Sequence, residues 1–135
     1  MKMTTWLNGA LVLGLVFTPV WAHHSFSGTY REDAPPEEIR GTLRSFNVRN
    51  PHSFVQVEDE QLKDKDGNPV RWAIEWGAAG QLAQQGVNSG TLKVGDKVVV
   101  TGSPGRNPED HRLRMRSIAR PSDGWKWPVG NQSFN

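Results

Sequence analysis

The sequence predicts a small five-stranded β-barrel with one short helix, and three observations carry that prediction. Five short stretches read as strands, at 39–48, 53–58, 70–76, 97–102 and 112–118; the first alternates imperfectly, and the fifth alternates basic with mostly apolar residues as a half-buried strand does. A run of helix formers closed by Gly86 falls between the third and fourth stretches. The first stretch is the longest and holds an internal Gly41, which suits a strand that bends. Three strands, a helix, two strands and a bent first strand are the order of an OB barrel. An open β-sandwich is the alternative.

The barrel is expected over residues 39–120. Ahead of it, Lys2, an apolar run at 10–17, Pro19 and the small residues Val20 and Ala22 have the order of a secretory signal, residues 1–22. Cleavage after Ala22 predicts a periplasmic or secreted protein that begins at His23. Residues 23–38, with Gly28, Pro35 and Pro36 among charges, read as an extended lead-in with little helix. Asn50-Pro51 breaks the first strand from the second, because proline offers no ladder donor and pushes its predecessor out of the helical region. Turn chemistry at 64–69 makes the second and third strands a hairpin. A glycine-aspartate turn leads into the fourth strand, and the Pro- and Gly-rich stretch 103–110 precedes the fifth. Residues 121–135 have no regular period and are expected to run over the surface as a tail.

Without the leader the chain has 113 of its 135 residues, enough for one domain. The 16 basic residues less Lys2 leave 15 against 14 acids, too even a balance for a nucleic-acid footprint. No nucleic acid is expected among the partners. No stretch approaches the roughly 20 apolar residues of a membrane span, so no transmembrane segment is expected in the mature protein. There is no cysteine, and any metal must be held by nitrogen and oxygen.

Two of the four histidines, His23 and His24, stand where the leader ends. A terminal histidine offers its α-amine and its imidazole to one ion, which an internal histidine cannot do. Adjacent residues of an extended chain point to opposite faces, so one of the pair is a spare or supporting group. His52 follows Asn50-Pro51, and hairpin geometry predicts it beside Glu75 and Trp76. A carboxylate beside a histidine orients the ring and raises its basicity, or supplies a ligand itself. The predicted metal ligands are therefore His23, His24 and His52, with Glu75 supporting. Amine and imidazole donors suit Cu(II) first, which heads the affinity order, with Zn(II) as the alternative and a metal-free protein as the third case.

His111 lies among acids on a loop and is left out of the site. Arg112, Arg114 and Arg116 alternate along the fifth strand, either as a surface for an acidic partner or, preferably, as a solvated edge-strand face. On that reading their replacement changes folding little. Trp72 and Trp76 share a strand face with Ile74 and are expected in the core. Trp125 and Trp127 either cap the barrel or stack on a ligand.

Ala22-His23-His24-Ser25-Phe26, Asn50-Pro51-His52 and the strand from Trp72 to Gly77 together resemble a family of small bacterial exported proteins described only as a domain of unknown function. The resemblance covers nearly the whole mature chain. It implies export, one small barrel and importance for His23, His24 and His52, and it implies no activity. The function expected is a metal-binding protein of the periplasm, a carrier or homeostasis factor, with the metal ion and a periplasmic protein as its partners. The alternative is a metal-free binding module for a polysaccharide, small ligand or protein. No catalytic set of serine, cysteine or paired carboxylates stands out, so a non-enzyme is expected, with copper redox chemistry a weaker third reading by analogy to lytic polysaccharide monooxygenases.

Overall fold

A computed structural model describes residues 26–129. The expected signal at residues 1–22, together with His23, His24 and the end of the tail, lies outside the described residues. Strands β1 (Glu37–Asn47), β2 (Phe54–Lys63), β3 (Pro69–Glu75), β4 (Lys97–Pro104) and β5 (Arg112–Arg120) follow in the predicted order. A short helical turn, α1 (Phe26–Thr29), precedes them. A second helix, α2 (Ala79–Gln84), sits between β3 and β4.

Strand β1 is long enough to serve two neighbours. Its second half pairs antiparallel with β2, from Gly41 opposite Asp59 to Asn47 opposite Phe54. Its first half pairs with β4, from Glu37 opposite Gly102 to Thr42 opposite Lys97. The halves overlap at Gly41, where a Cβ would stand 2.1 Å from the Glu58 carbonyl oxygen. Any side chain there would force the strands apart, so the bend belongs to glycine. Gly102 has the same role between β4 and β5, where a Cβ would lie 2.5 Å from the Arg114 carbonyl oxygen.

The pairing of β3 with β5 settles barrel against sandwich. Ala73, Ile74 and Glu75 lie parallel to Arg112, Leu113 and Arg114, which closes the sheet. Leu43, Val55, Val57, Ile74, Val100 and Leu113 fill the interior, all fully shielded from solvent. Leu82 of α2 packs into the same cluster, with Trp76 and Trp127. A buried leucine cut to alanine typically costs about 2–5 kcal/mol, so Leu82 ties α2 to the barrel although the helix has only six residues and no side-chain N-cap.

Three expectations need correction. Strand β2 runs five residues past its predicted end: Asp59 pairs with Gly41 of β1 and Lys63 with Pro69 of β3, across an irregularity where Asp59 accepts from the Gln61 and Leu62 amides and from the Trp72 indole. The polar stretch 59–63 shows no alternation from which this could be read. The tail forms a sixth strand, β6 (Trp125–Trp127), in which Trp127 faces Ile118 and Trp125 faces Arg120. A three-residue strand is too short to show a period. The lead-in contains α1 and is fastened to the barrel: Tyr30 bridges Gly105, and the Arg31 amide donates to the Pro104 carbonyl.

Candidate functional site

The loop from Asn47 to Phe54 places His52 one residue before Ser53, whose amide donates to the Gly77 carbonyl while its carbonyl accepts from the Trp76 amide. Phe54 faces Glu75 across the hairpin. These pairings bring His52 Nδ1 onto Glu75 Oε1 in a very short contact. The predicted juxtaposition of His52 with Glu75 and Trp76 is present.

Glu75 is only 7% exposed, and a buried carboxylate needs partners for both oxygens. The second oxygen accepts from the Tyr30 hydroxyl at 2.5 Å, and the Arg112 guanidinium stands 3.8 Å from it. Arg112 also lies over the Tyr30 ring, 5.8 Å from its centre. Tyr30 is fully buried, and burial foremost, then the hydrogen bond to Glu75 and its negative charge, push the phenol well above its ordinary range. Tyr30 therefore keeps its proton and donates it. With Nδ1 engaged on Glu75, the orientation of the His52 ring is set. Its Nε2 has no hydrogen-bond partner among the described residues.

Phe26 completes this corner. Its ring packs 5.3 Å from the His52 ring, and the Arg114 guanidinium carbon lies over the same ring, 3.8 Å from its centre. Arg114 also donates to Glu32 at 2.8 Å, and Arg116 donates to the Glu32 carbonyl and to Ser103 Oγ. Arg106 reaches the Ser27 carbonyl at 2.7 Å. Strand β5 has neighbours on both sides, with β3, β4 and β6 all pairing to it. The expectation of a solvated edge-strand face is thus corrected, because Arg112, Arg114 and Arg116 hold the first described residues against the barrel.

An open cleft of about 1090 Å³ runs from His52 and Glu75 along β5 to α2 and β6. It lies where β5 has left β3 and has not yet met β6. Trp127 sits in its wall, 8% exposed, edge-on to Trp76 at 4.9 Å and donating to Gln85 Oε1 at 2.8 Å. Trp127 thus caps the barrel, whereas Trp125 is half-buried under Arg120. Trp72 and Trp76 are core residues, as expected. His111 packs edge-on against Trp72 in a separate hollow and is not brought to His52. Among the described residues no three histidines or acids gather in a cluster able to hold a metal. The other two predicted ligands, His23 and His24, lie outside the described residues.

Phe26, Tyr30 and Glu32 are the participants that sequence reasoning missed. Tyr30 carried one signal, being the only tyrosine in the chain.

Residues 12–114 match a family of unknown function, DUF6152. The chain belongs to that family. No curated protein matches it. Two crystal structures of the mitochondrial single-stranded DNA binding protein Rim1 of S. cerevisiae, one of them SeMet-labelled, are similar at TM-scores of 0.45 and 0.43. They are 16% and 13% identical, and each comparison covers 62% of this chain and 90% of that one. The OB-like barrel follows from the strand order itself. Among the described residues no helix is long and apolar enough to cross a membrane.

Proposed function

We propose that this chain is an exported metal-binding protein of the periplasm, a carrier or homeostasis factor and not an enzyme. Cu(II) is its preferred ion, with Zn(II) second. The ligands are the amine and ring of a mature amino-terminal His23 together with His52, while His24 supports or completes the set. One observation carries the reading: His52 is oriented by a buried carboxylate and stands beside Phe26, three residues after His23. Three residues span at most about 11 Å, so the covalent chain allows His23 to reach His52. The Tyr30–Glu75–His52 chain is the kind of support that metal-binding histidines receive, and it fixes which nitrogen faces the ion.

Calorimetry with Cu(II) and Zn(II) on protein beginning at His23 tests this reading. His23→Ala and His52→Ala are each expected to abolish tight binding, and His111→Ala to leave it intact. One residue added before His23 is expected to weaken it, because the amine is moved away from its ring. Equal weak binding by all four variants would leave the metal-free module, which the size of the cleft favours as the second reading. A start other than His23, seen by intact mass, would remove the amine from the site.

A further inference from the structure

Resting on the metal reading above, we propose that the ion is bound as a complex with a small organic polycarboxylate, which occupies the cleft beside His52. Size is the first reason. A water completing a coordination sphere needs about 30 Å³, whereas organic ligands occupy pockets of roughly 300–1000 Å³. The cleft, at about 1090 Å³, belongs to the second class, and His52 forms part of its wall.

Charge is the second reason. Arg114, Arg116 and Lys126 line the cleft against Glu32 and Glu75. Both acids are already committed, Glu32 to Arg114 and Arg116, and Glu75 to His52, Tyr30 and Arg112. The Lys126 ammonium is exposed and has no partner among the described residues. A bare dication approaching this wall meets uncompensated positive charge, whereas an anionic chelate meets an attractive one.

A third observation concerns donors. Trp76 also lines the cleft, and its indole N–H is buried without an acceptor among the described residues. Leaving such a donor unpaired is costly, and a ligand carboxylate is an acceptor of the right kind. Trp127 and Met115 supply apolar walls for the carbon skeleton. The carboxylates would then fill the coordination positions left open by the protein nitrogens and meet the cationic rim.

Citrate is a suitable probe, because it forms anionic Cu(II) complexes. Protein beginning at His23 is equilibrated with one equivalent of Cu(II) and increasing labelled citrate, and both are followed by equilibrium dialysis and by the copper EPR spectrum. A ternary complex is expected, with citrate retained one to one with copper and a saturable change in the spectrum. Lys126→Glu is expected to weaken citrate retention by about tenfold or more while copper affinity without citrate is not lowered. Lys63→Glu, the same charge change on β2 away from the cleft, is expected to leave both intact. Citrate that strips the copper without being retained, or retention indifferent to Lys126→Glu, overturns the proposal and leaves the metal reading standing. Failure to bind copper with or without citrate overturns both.

Discussion

Two carboxylates on neighbouring strands, Glu58 and Glu75, each gather basic partners, and their surroundings separate them. Glu58 meets Arg44 at 2.8 Å and Arg71 at 3.7 Å on an open face of the barrel. The hydrogen bond from Arg44, more than any other effect, holds it below the usual carboxylate range. Water competes for every partner there, so the pairing adds little to stability. Glu75 is shut away from water, and its partners come from three separate parts of the chain: Tyr30, His52 and Arg112. Exposed pairing ornaments a surface, whereas buried pairing makes one side chain answerable for the positions of three others.

Glu75→Ala should give the largest effect. It leaves the buried Tyr30 phenol without its acceptor, while the partly exposed Arg112 can turn to water, with an expected loss of about 3 kcal/mol in urea unfolding and the release of the His52 ring. A loss no greater than that of Glu58→Gln would abolish the contrast. Tyr30→Phe should come next, at about 1–2 kcal/mol, since Glu75 loses one donor and keeps the others.

Tyr30 also gives a pH signature. Its folded pKa is raised above the ordinary 10.0, so its contribution is complete below that value and is lost as pH rises through it toward the folded pKa. As the only tyrosine in the chain, it makes the readout specific. The ultraviolet absorbance of the phenolate should appear together with unfolding, above pH of about 10, and not before it. Phenolate forming while the fold persists would show that Tyr30 is accessible.

Arg114→Ala should be milder, about 1 kcal/mol, through loss of the Glu32 pair and of the cation over Phe26. If Phe26 is held at His52 by this arginine, copper affinity should fall more than stability does. Glu58→Gln should be the smallest change, with no resolvable shift in Tm at neutral pH and a slightly flatter acid limb. That sign follows from its lowered pKa, whose stabilisation is present above the unfolded value and lost as pH falls.

The strand order was legible because each of the five barrel strands buries alternate residues, and the hairpin register then placed His52 at Glu75. What escaped was every contact joining distant parts of the chain. Arg114 and Glu32 are 82 residues apart, and nothing in an alternating Arg-x-Arg-x-Arg pattern separates a hydrated stripe from one bound to a returning segment. Tyr30 sits among prolines, glycines and charges, where composition indicates a loop and says nothing of a single fully buried ring. Trp127 was legible as either a cap or a ligand platform, and the Gln85 hydrogen bond with the edge-on Trp76 fixes it where it both caps the core and walls the cleft.

The bonds that fasten residues 27–32 have a consequence for the order of assembly. Apart from Glu75, which takes the Tyr30 hydroxyl 45 residues on, their side-chain partners lie 71 to 84 residues along the chain, at Ser103, Arg106, Arg114 and Arg116. The first described residues cannot dock until the last barrel strands exist, and closing so long a loop earns nothing until β4 and β5 have paired. Hydrogen exchange should find the Tyr30 and Arg31 amides opening with less free energy than those of β1, and equal protection would show arm and barrel folding as one unit. A chain whose residues 26–32 wait for its closing strands would keep the Phe26 ring away from His52 until the rest of the barrel is built.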